Sequence, residues 1–180
     1  EAYSGFVELL RANMRYAGGL RIDHAMWLER LYWIPEGSEH GEGAYVAYPF
    51  EDLVGVLALE SRRARCLVVG EDLGTVPEGF RERMRDAGVF SYRVLPFEQS
   101  NGRLHAPRDY PRLALATIGS HDLATLRGWW EGRDIALKDE KGLYPDPGAA
   151  EAQRAERARE RRMLLAALRD ERLELPPGLD

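Results

Sequence analysis

Cys66-Leu67-Val68-Val69-Gly70-Glu71-Asp72 is the stretch on which the fold turns. Its first five residues carry no polar side chain and no alternation, which predicts a parallel strand covered on both faces, and two acids follow it directly. Just upstream, residues 49–64 open with Pro49, place Glu51 and Asp52 in the first turn, and close on Arg62, Arg63 and Arg65. That is a helix whose charges suit its macrodipole at both ends. Downstream, Phe80, Met84 and Ala87 share one face of a helix from about 77 to 87, Gly88 stops it, and residues 90–95 read as the next strand. Farther toward the N-terminus, Phe6, Leu9, Leu10 and Met14 recur at helical spacing through 3–17. Gly18-Gly19 ends that pattern, and Gly19-Leu20-Arg21-Ile22-Asp23 is a short strand with Asp23 at its C-terminal end. In the other direction, residues 113–118 form a last strand that leads into Gly119-Ser120-His121-Asp122 and a helix around 123–130.

Alternating strands and helices imply a parallel sheet with crossover helices, either an open doubly wound sheet or a closed eight-strand barrel. The acids favour the barrel, because three separate strand ends each deliver an Asp or Glu, and barrel enzymes draw their catalytic groups from strand C-termini. No Gly-x-Gly-x-x-Gly or Gly-x-x-x-x-Gly-Lys follows any strand, so the nucleotide-binding open sheet has no support. Only four strand patterns are present, where a closed barrel needs eight and typically about 250 residues. The expected fold is therefore α/β, a partial TIM (β/α)8 barrel forming roughly the second half, with a C-terminal helical tail. Residues 1–135 are assigned to the barrel and 136–180 to a loop and a charged helix. The loop is read from Lys138-Asp139-Glu140-Lys141-Gly142 and Pro145-Asp146-Pro147-Gly148, and the helix from residues 149–172, rich in Ala, Glu and Arg with Met163, Leu164, Leu165 and Leu168 as its apolar cluster.

At 180 residues, 44% hydrophobic and 31% charged, the chain is of a size and composition to build one real core. A net charge of -5, with arginines interleaved among acids, argues against a nucleic-acid partner. The lone Cys66 cannot form an internal disulfide and reads as a small buried thiol. No apolar stretch approaches the roughly 20 residues that span a bilayer, so the chain reads as soluble and cytoplasmic, with no membrane partner. It begins with Glu1 rather than Met, and the reading favours a start inside a longer gene product.

Retaining cleavage of a glycosidic bond needs a carboxylate nucleophile and a protonated carboxylic acid roughly 5–5.5 Å apart. Arg21 and Asp23, two apart on a strand, share a face, and the arginine would hold Asp23 ionised as a nucleophile. Glu71, after an apolar strand, would be kept protonated by partial burial and neighbouring anions as the acid/base. Asp122 would bind sugar hydroxyls more tightly as the oxocarbenium-like transition state forms, with His121 donating to the same ring. Structural alternatives stay open at this point. Thirty acidic residues put some near strand ends by chance. Arg21 with Asp23 reads equally as an ion pair, and His24 and His121 as ordinary histidines. Neither has the spacing that fixes a metal site, and none is expected. Trp27, Trp33, Trp129, Trp130, Tyr45 and Tyr48 are candidates for sugar stacking or for core.

Whole segments narrow the choice: Leu-Arg-Ile-Asp-His at 20–24, Trp-Ile-Pro at 33–35, Gly-Ala-Tyr-Val at 43–46, Gly-Glu-Asp-Leu-Gly-Thr-Val-Pro at 70–77, and Ser-His-Asp-Leu-Ala-Thr-Leu-Arg-Gly-Trp-Trp at 120–130. Together they resemble the amylomaltase family, the bacterial 4-α-glucanotransferases or disproportionating enzymes, in order from about residue 3 to 147. That resemblance implies Asp23 as nucleophile, Glu71 as acid/base and Asp122 as transition-state stabiliser, on the fourth, fifth and seventh barrel strands. It implies Arg21 and His121 around the sugar being transferred. The implied reaction moves α-1,4-glucan segments between maltooligosaccharides or starch- and glycogen-derived glucans, with no cofactor. Single motifs of this set also occur in α-amylase-type retaining hydrolases, which is one alternative. The family's early barrel strands are absent, so the chain is expected to be a fragment of the full enzyme, and an inactive fragment or interaction module is the other alternative. Exposed barrel edges predict self-association or instability alone.

Overall fold

A computed structural model describes residues 2–176 and 178. In chain order its elements are α1 (Ser4–Met14), β1 (Gly19–Ile22), β2 (Arg30–Trp33), β3 (Ala44–Ala47), α2 (Phe50–Ala64), β4 (Leu67–Gly70), α3 (Phe80–Asp86), β5 (Phe90–Val94), β6 (Gln99–Ser100), β7 (Arg103–Leu104), β8 (Ala114–Thr117), α4 (Leu126–Glu131), α5 (Arg133–Glu140) and α6 (Ala149–Asp170). The chain divides into two compact units, Glu1–Tyr92 with Pro111–Leu115, and Arg93–Tyr110 with Ala116–Asp180.

The first unit is α/β. Its sheet runs in the order β1-β4-β5-β8, with β1 parallel to β4 from Gly19↔Leu67 to Ile22↔Gly70, and β4 parallel to β5 at Val69↔Phe90 and Gly70↔Ser91. The Ser91 N–H donates to Leu113 O at 3.0 Å. Helices α1 and α2 bring Leu10, Met14, Leu53, Val54 and Leu57 into one buried cluster with Ile22, Cys66 and Val68. Leu57 is fully enclosed, and truncating such a residue to Ala costs about 2–5 kcal/mol. Burial pushes the Cys66 thiol pKa up. Across the helix pair, the buried Glu60 carboxylate takes bonds from Arg11 (2.7 and 3.0 Å) and from Arg63 (2.7 Å).

Two expectations need correction here. Leu9 is exposed, because the face of α1 that meets α2 carries Leu10 and Met14, and Phe6 instead packs edge-on against Trp27. The β4 run is covered on one face only: Val68 and Gly70 are buried, while Leu67 is exposed and Val69 half-buried. The helices cover only the Val68 side, and an unbroken apolar run does not reveal which side is covered. An antiparallel β2–β3 hairpin, paired from Arg30↔Ala47 to Trp33↔Ala44, was not anticipated.

In the second unit, β6 and β7 form a hairpin through Asn101 (φ 51) and Gly102 (φ 71), the pair of left-handed residues that a two-residue type I′ turn requires. Helix α4 starts at Leu126 rather than 123, because the Thr125 hydroxyl accepts the Gly128 N–H at 3.2 Å and so fixes the cap. Residues 133–140, whose Lys138–Glu140 stretch had been read as loop, form α5, with Ile135 buried. On α6, Arg154 and Arg159 pair with acids at the surface, whereas Arg157 is buried: it donates to both Asp134 oxygens (2.9 and 2.8 Å), to Glu160 (3.2 Å) and to Trp129 O (2.6 Å). Among the described residues no helix is long and apolar enough to cross a membrane.

Candidate active site

The register Ile22↔Gly70 makes Asp23 and Glu71 the next residues on two neighbouring parallel strands, whose axes lie about 4.7–4.9 Å apart. The ladder runs on past the strands. Glu71 N–H donates to Ile22 O (2.8 Å) and Ala25 N–H to Glu71 O (2.8 Å), so the two backbones stay locked where the acids emerge. Between these bonds the chain turns at His24, held in the left-handed region at φ 44 and ψ 55, an uncommon conformation for a residue with a Cβ. Gly70 permits the close approach beneath, since a Cβ there would meet Met84 Cε at 3.0 Å and Ala25 Cβ at 3.1 Å.

Glu71 is only 8% exposed, and its carboxylate is held by backbone donors, His24 N–H to Oε2 at 2.7 Å and Leu73 N–H to Oε1 at 2.8 Å. Each oxygen keeps a second lone pair for a proton or a substrate atom. Asp23 has the opposite environment. Its side chain is 72% exposed and paired with Arg21 Nη1 at 2.6 Å. The Arg21 guanidinium lies over the Tyr92 ring at 5.0 Å, and its buried Nε has no acceptor among the described residues, which leaves one donor for a bound group. An exposed, arginine-paired carboxylate and a buried one held by backbone N–H groups thus follow neighbouring strands.

Asp72, the second acid after β4, has no role assigned from the sequence. It is 4% exposed, and its carboxylate accepts Arg81 Nε (2.8 Å), the Ser91 hydroxyl (2.7 Å) and Tyr92 N–H (2.9 Å), while Arg81 Nη2 reaches Asp72 O (2.6 Å). It ties the end of β4 to β5, next to Glu71. The available signal was an acid pair at a buried strand end with an arginine nine residues on in the following helix.

His121 and Asp122 belong to the second unit. Both are exposed, His121 Nε2 lies 3.4 Å from Asp122 Oδ1, and Asp122 N–H donates to Ser120 Oγ at 3.2 Å. Asp122 borders a hollow of about 490 Å³ whose wall includes Phe97, Ile118, Leu126 and Trp129. The structure therefore brings Arg21, Asp23 and Glu71 together in one unit and His121 and Asp122 together in the other. Of the aromatic candidates, Trp27 packs on the core, Trp129 lies under Arg157 at 5.0 Å, and Trp33 and Tyr45 are exposed. The Trp33 indole N–H donates to the Tyr48 hydroxyl at 3.0 Å.

The profile of the 4-alpha-glucanotransferase family matches residues 1–177. A 4-alpha-glucanotransferase of Haemophilus influenzae is 50% identical over 141 residues, 78% of this chain and 20% of that protein. One of Mycobacterium bovis is 38% identical over 165 residues, 88% of this chain and 23% of that protein. The crystal structure of amylomaltase from Corynebacterium glutamicum superposes with a TM-score of 0.83 at 33% identity, over 92% of this chain and 24% of that one. The chain spans between a fifth and a quarter of the length of these relatives.

Proposed function

Because the chain belongs to the 4-alpha-glucanotransferase family, we propose that it carries the catalytic carboxylates of a retaining α-1,4-glucan transferase, on the second half of a (β/α)8 barrel. The observation that carries the reading is the pairing of Asp23 and Glu71 at the ends of adjacent strands, one ionic and exposed, the other buried and held by two N–H groups. A strand spacing of about 4.7–4.9 Å suits the roughly 5–5.5 Å separation that retention demands.

In the first step an Asp23 oxygen attacks the anomeric carbon while Glu71 gives its proton to the departing glycosidic oxygen. The glucan stays as an ester on Asp23, and the reducing-end piece leaves with a new hydroxyl. In the second step Glu71 takes the proton from the 4-hydroxyl of an acceptor glucan, which attacks the same carbon and frees Asp23. Two inversions give net retention. Arg21 pairs with Asp23 at 2.6 Å and so orients its carboxylate. The role proposed for Asp122, stabilising positive charge on the ring through its hydroxyls, rests on the family and on the Ser120-His121-Asp122 segment, with His121 as the accompanying donor. No cofactor enters these steps. Maltooligosaccharides and starch- or glycogen-derived glucans are the proposed substrates, in the cytoplasm.

Residues 1–135 are proposed as barrel and 136–180 as its appended loop and helix. Self-association through the outer strands β1 and β8 belongs to the same proposal, and a well-folded monomer in size-exclusion chromatography counts against it. A second reading, a segment that keeps the fold without turnover, is favoured by the fraction of the relatives' length that the chain spans. Incubation with maltotriose separates the readings. Glucose together with longer maltooligosaccharides means transfer, free sugar without elongation means an α-amylase-type hydrolase, and no conversion means the non-catalytic segment. Asp23→Asn is expected to remove transfer, and full activity in that variant would overturn the mechanism.

A further inference from the structure

Asp72 takes no part in the transfer steps above, yet its contacts lead to both carboxylates that do. Toward Glu71 the link passes through a single peptide. The Asp72 carbonyl and the Leu73 N–H belong to one planar trans unit and point in opposite directions. The carbonyl accepts Arg81 Nη2 at 2.6 Å, and the N–H donates to Glu71 Oε1 at 2.8 Å. Arg81 is itself aimed by the Asp72 carboxylate, which accepts its Nε at 2.8 Å. A guanidinium is a rigid planar fork, so one bound through two nitrogens to the same residue has little freedom to swing. The Asp72 side chain thus fixes, through Arg81, the plane of the peptide that holds Glu71.

Toward Asp23 the link crosses the sheet, in which β4 lies between β1 and β5. The last β4–β5 pair is Gly70↔Ser91, and just past it the Asp72 carboxylate accepts the Ser91 hydroxyl (2.7 Å) and the Tyr92 N–H (2.9 Å). Holding that N–H sets where the buried Tyr92 ring stands. The Arg21 guanidinium of β1 lies on this ring at 5.0 Å, while its Nη1 pairs with Asp23 Oδ1 at 2.6 Å. A ring that cannot move gives the guanidinium a fixed seat, and the guanidinium orients the carboxylate.

We propose that Asp72 is a positioning residue for both carboxylates, setting Glu71 through Arg81 and the Leu73 peptide, and setting Asp23 through Tyr92 and Arg21. What the two carboxylates then do rests on the transfer reading above. With Asp72 almost closed to solvent, its bonds act where water competes little and hydrogen bonds are strong. One buried acid thereby holds the nucleophile and the acid/base in register with each other. Attack and proton transfer at the same bond depend steeply on that register.

Nuclear magnetic resonance of the full chain reads these links without turnover, through the coupling that a hydrogen bond transmits from a backbone nitrogen to the Glu71 carboxylate carbon. Wild type should show it for both His24 and Leu73. Asp72→Ala should lose the Leu73 coupling, keep the His24 coupling, which the β1 turn supplies, and move the Arg21 side-chain resonances out of the Tyr92 ring current. Arg81→Met, at a partly exposed site, should lose the Leu73 coupling alone, so the test stays decisive if Asp72→Ala fails to fold. Where wild type converts maltotriose, kcat of Asp72→Ala should fall about 100-fold with KM within about twofold, since alignment is lost and binding is not. A Leu73 coupling absent from wild type or retained in either folded variant overturns the proposal, as do unmoved Arg21 resonances or an unchanged kcat in Asp72→Ala. Loss of the His24 and Leu73 couplings together, or unfolding of both variants, also overturns it, because Asp72 would then hold the fold rather than the site. Absence of conversion by wild type sinks the transfer reading and leaves the couplings to decide the positioning.

Discussion

Glu71 directly follows β4, is 8% exposed and has both carboxylate oxygens tied to backbone N–H groups. Asp122 is separated from β8 by Ile118-Gly119-Ser120-His121, its side chain is 75% exposed, and its one described partner is a histidine at 3.4 Å. The first is positioned by the sheet itself, since the ladder bonds around it cannot shift without breaking β1 from β4. The second is positioned by a loop, and loops are where proteins carry groups that meet ligands and tolerate motion. Under the proposed transfer mechanism, Glu71 would hold and exchange a proton in a fixed place and Asp122 would follow a sugar ring as it changes shape, and the two kinds of support suit those two tasks.

The strongest way to break this comparison is to remove what fixes β4. Asp72→Ala takes away a carboxylate almost closed to solvent and leaves the Ser91 hydroxyl and the buried Tyr92 N–H without their acceptor, while Arg81, 41% exposed, loses its partner. Deleting one partner of a buried charged network costs about 3–5 kcal/mol, a large share of a typical domain's stability. Urea unfolding should show it as a lowered midpoint. A loss under about 1 kcal/mol would mean that the strand end is held by the ladder alone.

The second unit has its own buried charge, and a smaller effect is expected there. Asp134→Ala takes two bonds from Arg157, but that guanidinium keeps Trp129 O at 2.6 Å and Glu160 at 3.2 Å, as well as its stacking on Trp129. Loss of charged hydrogen bonds with partial compensation costs about 1.5–3 kcal/mol. Arg157→Met, which removes the charge along with its pairs, should recover part of this, as uncharged replacements of buried pairs often do. If Asp134→Ala proved more damaging than Asp72→Ala, the ranking of the two units would be reversed.

How far these supports were legible in the sequence follows the same division. The strands of the first unit were readable because Gly18-Gly19 and the apolar run before Glu71 mark them, and α2 because its charges sit at the proper ends. Burial side was not, since Leu67 and Val68 look alike in a run with no alternation. The β2–β3 hairpin was missed because a long connection joins its strands, with no two-residue turn signal. The Asn101-Gly102 turn carried that signal and was overlooked between strands of only two residues. Helix α5 was hidden by Lys138-Asp139-Glu140-Lys141, polar residues that suit a solvated helix face as well as a loop. Asp23, Glu71 and Asp122 were singled out by strand-end position and by resemblance. The contacts of Asp72 with Ser91 and Tyr92 depend on packing between strands, which no local pattern encodes.

Acid should test the α1–α2 contact more gently than any of these substitutions. Bonds from Arg11, with Arg63 beside it, lower the Glu60 pKa from 4.5 to about 2. A folded pKa below the unfolded one means that the stabilisation is fully present above about pH 4.5 and is lost as pH falls toward about 2. Asp134 in the second unit is likewise lowered, chiefly by bonds from Arg157, so its contribution also fades in acid. Melting temperature should therefore fall from pH 5 to pH 3. The fall should be shallower in Glu60→Gln, and in high salt, because Arg11 is more than half exposed and screened. An unchanged pH slope in Glu60→Gln would remove this carboxylate from the account of acid stability.

The smallest expected effect falls on the residue at the other end of the opening comparison. Asp122→Ala removes a side chain that packs on little and pairs only with an exposed histidine, and such surface changes lie within about 0.5 kcal/mol of wild type. Exposed ion pairs contribute about 0–1 kcal/mol, and this one is long at 3.4 Å and counts as ionic only when His121 is protonated. Thermal unfolding should therefore match that of wild type. A drop beyond about 1 kcal/mol would mean that the carboxylate holds its loop in place, and the contrast with Glu71 would fail. If unfolding is unchanged while maltotriose transfer by an active wild type disappears, the loss cannot come from weakened folding. It would then lie in the reaction, where a loosely held acid can serve a changing ring.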